Sequence, residues 1–371
     1  MTAYGSNNVQ HVTVFRAPGR YAGWPANYGI WSWDSEIVVG FTLGYHQTGS
    51  RFHTRDKSRP FVTMQARSRD GGRTWNVGPM PCKTPGSRGL SADEHMDKEL
   101  GLGVLLDYDD SLADAPGGID FAHPDFALLC ARTGLQAGVR SFFYTSTDRC
   151  HSWEGPYRLP MYGQTGIAAR TDYLVSGPRE CTLFLTANKQ DGEEGRVFCV
   201  RSTDGGASFH FLAWIGPELP GYHIMPASVR LSATRILVAV RCRDDPGGFA
   251  GARHWIDLYA SGDDGKSWFF FNRPVPDTGR GGNPPALTRL GDGRLCLTYG
   301  YRAEPFGVRA RFSGDGGVTW SEEIVLRNDG GCHDLGYPRT VQRPDGTLVT
   351  VYYFNDEPDG ERYIAATLWR P

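Results

Sequence analysis

Ser68-Arg-Asp-Gly-Gly-Arg-Thr-Trp75 is the stretch that decides the fold, because its pattern returns four more times along the chain. The copies are Ser146-Thr-Asp-Arg-Cys-His-Ser-Trp153, Ser202-Thr-Asp-Gly-Gly-Ala-Ser-Phe209, Ser261-Gly-Asp-Asp-Gly-Lys-Ser-Trp268 and Ser313-Gly-Asp-Gly-Gly-Val-Thr-Trp320. The residue types describe a locked tight turn. Asp caps backbone N–H groups, Gly supplies a positive φ, and the closing aromatic tucks beneath. Cys150 and Phe209 depart from the pattern, which weakens those two turns without removing their caps. Asp70, Asp148, Asp204, Asp263 and Asp315 are therefore read as structural.

Working outward, each interval between copies is long enough for four short strands with their turns. Within the intervals the sequence reads strand, turn, strand, as in Ser228–Leu231 followed by Arg235–Val240, and Pro285–Leu290 followed by Arg294–Tyr299. The longest interval also holds an irregular insert from Ser91 to Gly118. A sixth unit, Thr340–Tyr353 with Tyr363–Trp369, follows the last turn and has no copy of its own. Val9–Phe15 is expected to complete it, pairing edges that would otherwise be exposed. The fold class is thus all-β, a six-bladed β-propeller in one domain spanning 1–371.

Composition agrees with many short strands around an aromatic-rich core: 48 Gly, 24 Pro, 10 Trp, 17 Tyr and 19 Phe, with only 22% charged residues. The net charge of −2 comes with Lys and Arg spread along the chain, so no basic stripe exists to hold a phosphate backbone, which argues against a nucleic-acid partner. No apolar run is long enough to span a bilayer, so no membrane insertion is expected. Met1–Gln10 has neither a basic nor an apolar region of an export signal, which favours the cytoplasm unless a signal has been removed. The eight cysteines form no C-x-x-C pair and several sit in apolar runs, so they read as buried free thiols. No spacing demands a metal, and no cofactor is expected.

The repeated S-x-D-x-G-x-x-W turns resemble the Asp-boxes of the sialidase family across essentially the whole chain. The resemblance implies a sialidase-like propeller, with the chemistry at one end of its axis and the Asp-boxes remote from it. In such a blade the inner strand starts, and the second strand ends, at that axial face. Inner-strand starts supply Asn27, Arg170 with Asp172, Met225, Asn283, and Tyr337 with Arg339. Second-strand ends supply Tyr45 with His46, Lys189, Arg241 with Arg243, Arg302, and Asn355 with Asp356. That lining is cationic and aromatic in a slightly acidic protein, which points to an anionic ligand held by forked guanidinium groups.

Phe15-Arg16-Ala17-Pro18 resembles the family's Phe-Arg-Ile-Pro motif, whose arginine is one of three that grip the sialic acid carboxylate, and Arg241 and Arg302 resemble the other two. By the same resemblance Asp56 stands for the acid/base aspartate and Tyr337 for the tyrosine nucleophile. Met225-Pro226 occupies the place of the family's proton-accepting glutamate, and His333, Asp334 or Asp356, on neighbouring loops, are the groups expected to replace it. A phenol with its ordinary pKa of about 10 needs such help.

A second chemistry draws on His46, His53, His123 and Asp125. In a polysaccharide lyase, Arg neutralises a uronate while His or Tyr removes the α-proton. Trp24, Trp31 and Trp33 read equally as ring-stacking platforms and as core. Three functions follow, in order: an exo-acting glycoside hydrolase on a terminal carboxylate-bearing sugar; a lyase or non-sialidase hydrolase for a uronate- or rhamnose-containing glycan; and a non-catalytic carbohydrate-binding propeller. In all three the partner is an acidic glycan or glycoconjugate.

Overall fold

The computed structural model describes residues 9–49, 52–83, 90–95, 112–245 and 251–370; most of the insert falls outside them. Six antiparallel sheets follow one another around a ring, forming a six-bladed β-propeller. Blade one comprises the split inner strand β2 (Arg20–Gly23) and β3 (Ile30–Trp33), then β4 (Glu36–Tyr45), β5 (Val62–Ser68) and β6 (Asn76–Pro79). Blade two shows β7 (Ala127–Arg132), β8 (Ser141–Ser146) and β9 (Glu154–Arg158). Blade three runs β10 (Tyr173–Gly177), β11 (Glu180–Asn188), β12 (Glu194–Ser202), β13 (His210–Ile215). Blade four runs β14 (Tyr222–Arg230), β15 (Ile236–Asp244), β16 (Arg253–Ser261), β17 (Phe269–Val275). Blade five runs β18 (Ala286–Arg289), β19 (Leu295–Tyr301), β20 (Gly307–Ser313), β21 (Ile324–Arg327). Blade six joins β22 (Gly336–Gln342), β23 (Leu348–Phe354) and β24 (Tyr363–Trp369) to β1 (Val9–Phe15), with Val9 opposite Trp369. Closure by the two ends of the chain leaves β24 paired on both sides, by β23 and by β1.

The second strands, such as β11, β15 and β23, are buried almost throughout because both faces of each sheet pack on a neighbouring blade. The core is accordingly not one mass. It is a series of wedges between adjacent blades: Ile37, Phe41 and Ala66 meet Val349, Tyr353 and Ile364 between blades one and six, and equivalent clusters fill the other five junctions. The wedge between blades six and one is what closes the ring physically.

The repeated turns cap as their residue types demand. Asp70 Oδ1 accepts the N–H groups of Arg73 (3.1 Å) and Thr74 (2.9 Å), Oδ2 accepts the Thr74 hydroxyl (2.7 Å), and Ser68 Oγ accepts from Gly72 N–H (2.7 Å). Gly71 and Gly72 adopt φ of 72° and 91°. In the second copy Arg149 and Cys150 hold the same left-handed geometry without glycine, at φ 57° and 63°, and the Asp148 caps persist at 2.9–3.0 Å. Non-glycine residues pay for that conformation in strain. All described cysteines are free thiols, Cys82 and Cys332 being the two not fully buried.

Candidate functional site

Register defines the two ends of the ring. Tyr222 at the start of β14 pairs with Arg243 near the end of β15, whereas Arg230 pairs with Ile236, which in turn faces Ser261 at the head of a repeated turn. The repeated turns therefore lie at one end, and second-strand ends gather at the other. A cavity of about 970 Å³ opens at the turn end, lined among others by Arg289, Asp292, Arg294, Arg343 and Asp345. Its arginines already have partners: Arg294 with Asp292 at 2.7 Å and Arg343 with Asp345 at 2.9 Å. The opposite end differs in kind.

There, three inner strands are broken at the same point by a left-handed residue followed by proline: Trp24-Pro25 (φ 58°), Met225-Pro226 (φ 55°) and Tyr337-Pro338 (φ 52°). The ladder shifts at each of the latter two, between Ile224 and Ala227 and between Gly336 and Arg339. Bulges of this sort re-aim a side chain, and a proline has no N–H to waste in the broken ladder. Asn283 locks the third one, accepting Tyr337 N–H (2.8 Å) and Gly300 N–H (3.2 Å) while donating to Leu335 O (2.9 Å). Any Cβ at Gly300 or Gly336 would collide with that amide, at 2.7 and 2.4 Å.

Tyr337 Oη accepts a hydrogen bond from Arg241 Nη1 at 2.9 Å. Arg241 also donates to Gly281 O and leans on the Met225 thioether at 3.6 Å. Its guanidinium lies 5.1 Å from the Tyr222 ring. Arg302 donates to Leu335 O (3.0 Å) and Tyr353 Oη (2.6 Å), and sits 5.5 Å from the Tyr337 ring and 5.6 Å from Phe52. Both arginines are buried, and among the described residues neither forms an ion pair. Burial works against the charge on Arg241, but the neighbouring phenols of Tyr222 and Tyr337 outweigh it and hold the group protonated. Burial alone would raise the Tyr337 phenol; Arg241, Arg302 and Arg170 overcome it and bring the phenol below its ordinary value.

Behind this pair lies a buried carboxylate, Asp334, bonded to His53 Nδ1 (2.6 Å), Tyr353 Oη (2.7 Å), Tyr21 Oη (3.1 Å) and Arg362 Nε (3.0 Å). Desolvation opposes its charge, yet His53, Arg362 and Arg302 hold it far below the usual carboxylate range. Burial pushes His53 down and Asp334 only partly restores it, the two groups sharing one hydrogen bond. Asp334 thus braces Tyr353 and, through it, Arg302. Asp172 also lies inward; burial raises it to about 7, and its Oδ2 has no hydrogen-bond partner.

The residues named from sequence are not all brought together. Tyr337, Arg241 and Arg302 meet. Arg16, expected beside them, lies instead at the end of the outermost strand of blade six, where its half-exposed guanidinium binds Asp356 at 2.6 Å and stacks over Tyr363 at 4.8 Å. An acidic neighbour has already neutralised it. Arg170 is buried in a two-pronged pair with Glu194 (2.8 and 3.0 Å), whose carboxyl that arginine holds low against desolvation. Arg339 spans to Ala26 O and Thr171 O at 2.7 and 2.6 Å. Lys189 pairs with Asp191 at 2.5 Å, and His46 bonds Asp359 O at 2.8 Å on the rim.

Asp56 caps Ser58 N–H (3.0 Å) on the β4–β5 loop that also carries Phe52 and His53. His123 and Asp125 fall at the other end of the ring: they precede Ala127, which pairs with Ser146 of a repeated turn, and Asp125 binds Arg149 of that turn at 2.6 Å. The loop before β7 opens at the turn end because blade two's second strand runs away from it. Met225 packs against Tyr337, so an apolar side chain occupies that flank of the phenol.

Sequence reasoning passed over Glu194 and Arg362. Both begin third strands, and third strands start where second strands end: Asn188 pairs with Glu194 and Phe354 with Tyr363. Reading that third position in each blade would have found them.

No protein-family model matches the chain, and no curated protein matches its sequence. Solved structures do. A protein of unknown function from Dyadobacter fermentans superposes with a TM-score of 0.68 at 20% identity, covering 98% of this chain and 99% of that one. The NanB sialidase of Streptococcus pneumoniae gives 0.62 at 13%, covering 100% and 71%. An α-L-arabinofuranosidase of Fusarium graminearum gives 0.59 at 13%, covering 98% of each. At such identities the likeness establishes the sialidase-like propeller fold, shared with glycoside hydrolases.

Proposed function

We propose that the axial end receives a carboxylate-bearing sugar and that the protein is a glycoside hydrolase acting on a terminal acidic residue of a glycan, with sialic acid the first substrate to try. One observation carries the reading: Arg241 and Arg302 are buried without a carboxylate partner on either side of Tyr337. Two desolvated guanidiniums are costly unless an anion compensates them, and a planar carboxylate matches their geometry. The fold shared with the NanB sialidase favours the same substrate class.

In this mechanism Arg241 and Arg302 hold the carboxylate and Tyr337, ionised to the phenolate with its proton released to solvent, attacks the anomeric carbon through Oη. The bond to the leaving oxygen breaks, and its electron pair takes a proton from Asp56, on the loop whose Phe52 lies against Arg302. Water, losing its proton to Asp56, then releases the sugar from Tyr337. The lowered phenol supports the nucleophile role, since the arginines supply stabilisation that a carboxylate base would otherwise give. Trp24, buried and stacked between Tyr21 and His95, belongs to the core and is no platform for the sugar ring.

A second reading rests on Met225. With a thioether in place of a proton acceptor beside the phenol, a Tyr337 phenolate could act as base on a uronate, removing the α-proton as the C–O bond at the β-carbon breaks to leave a double bond. Incubation with a fluorogenic sialoside and with uronate polysaccharides separates the two: fluorescence release marks hydrolysis, and new ultraviolet absorbance marks elimination. Arg241→Ala should abolish whichever signal appears. Silence of the wild-type protein on both would leave a glycan-binding propeller without catalysis.

A further inference from the structure

Blade four carries a second constellation, on the face of its sheet turned away from Arg241. His223, Cys242 and Asp257 come from three consecutive strands, β14, β15 and β16, and are 1%, 0% and 4% exposed. Cys242 stands directly opposite His223 in the ladder, and Asp257 faces Val240, two residues along, so all three side chains share one side of the sheet. Their ligand atoms all lie within 4.8 Å of one another, with Cys242 Sγ 3.7 Å from Asp257 Oδ2.

We propose that this is a structural site for a divalent transition metal, zinc being the natural choice for an imidazole, thiolate and carboxylate set. The His223 ring is the independent pointer. It is fully buried, yet neither nitrogen completes a hydrogen bond, and an imidazole so placed costs stability unless something takes its lone pair. A neutral imidazole carries one N–H and one lone pair, and here the lone pair is the ligand.

Arg273 completes the outer shell. It binds Asp257 Oδ1 at 2.7 Å and leaves Oδ2, 3.4 Å from its Nη2, on the side of Cys242. Arg273, about half exposed, is the group that stands between the buried carboxylate and solvent. Zinc bonds of about 2.0 to 2.3 Å need ligand atoms roughly 3.5 Å apart, so small side-chain rotations close the triad around the ion, and water fills the fourth position. Binding releases one proton, from the Cys242 thiol. The consequence reaches the axis: Tyr222 and Arg241, whose side chains point the other way, flank His223 and Cys242 along the same strands.

The test uses the full chain. Metal content is measured on protein purified without chelator, and Co²⁺ is titrated into chelator-treated protein while the thiolate-to-cobalt absorption is followed. The expected result is one equivalent per chain and a band that disappears in Cys242→Ser and His223→Gln but persists in Cys332→Ser and Cys82→Ser. Wild-type protein that retains no metal and gives no band overturns the proposal; so does a band that survives Cys242→Ser. The wild-type titration decides by itself should a variant fail to fold.

Discussion

The repeated turns and the axial end use the same chemical groups to opposite purpose. In a turn, every aspartate oxygen is satisfied inside its own eight residues, in the open: Asp263 binds Ser267 N–H and Oγ at 2.9 and 2.6 Å and Ser261 Oγ at 2.8 Å. At the axis, partners come from blades far apart in sequence, as with Tyr337 and Arg241 or Asp334, His53 and Arg362, and the charges are buried. Local satisfaction gives a module that can be copied five times. Remote satisfaction gives a unique site, in which Arg241 and Arg302 stay without an ion-pair partner among the described residues.

The sharpest way to break this contrast is to remove the phenol oxygen. Tyr337→Phe should lower kcat on an acidic glycan by about 10³-fold or more while leaving binding measurable by calorimetry, since a nucleophile or base acts only in the reaction. Equal loss of binding and turnover would make the phenol a mere contact. Next in size, Asp334→Asn should cost about 3–5 kcal/mol of stability in urea unfolding, because it strands Arg362 and the Tyr353 brace in the interior. Asp70→Ala should cost about 1 kcal/mol, the usual worth of a lost cap, and leave turnover unchanged.

The pH behaviour of the two regions should also diverge. Desolvation is the largest single effect on Asp70 and pushes it up, but hydrogen bonds from Thr74, Ser68 and Arg73 together outweigh it and hold the group at about 2, and Asp204 and Asp263 are held there chiefly by Ser208 and Ser267. A depressed carboxylate contributes stability that is complete above its unfolded value and lost as pH falls through the folded one. Acid unfolding should therefore steepen between about pH 4 and pH 2, and Asp70→Ala should blunt it. At the axis the sign concerns activity: a rate that needs the phenolate rises with pH and levels off below the ordinary tyrosine value of about 10, and Arg241→Lys should move that rise upward. The smallest effect belongs to Arg16→Ala, whose exposed pair with Asp356 predicts a change in kcat/KM within about twofold.

What could be read in advance follows the same division. The propeller was legible because Ser-x-Asp turns solve a local problem and repeat, and because Thr340–Tyr353 repeats the strand pattern without its turn. Arg241, Arg302 and Tyr337 were legible because their places in a blade fix which end they reach. Arg16 misled, since a strand end in the outermost position lies far enough from the axis to find Asp356 first. His123 and Asp125 misled because their loop enters blade two at the turn end, a matter of strand direction that loop composition cannot reveal. Asp334's role depended on a bond network with Tyr21, His53, Tyr353 and Arg362 that no spacing encodes.

The central claim is that Arg241 and Arg302 wait for one carboxylate. Titration calorimetry with an acidic sugar and with its methyl ester, on wild-type protein and on Arg241→Ala, tests it directly. The account predicts binding of the free acid to the wild type alone, with the ester and the variant both weakened at least tenfold. Equal affinity for acid and ester, or undiminished binding by the variant, would contradict it.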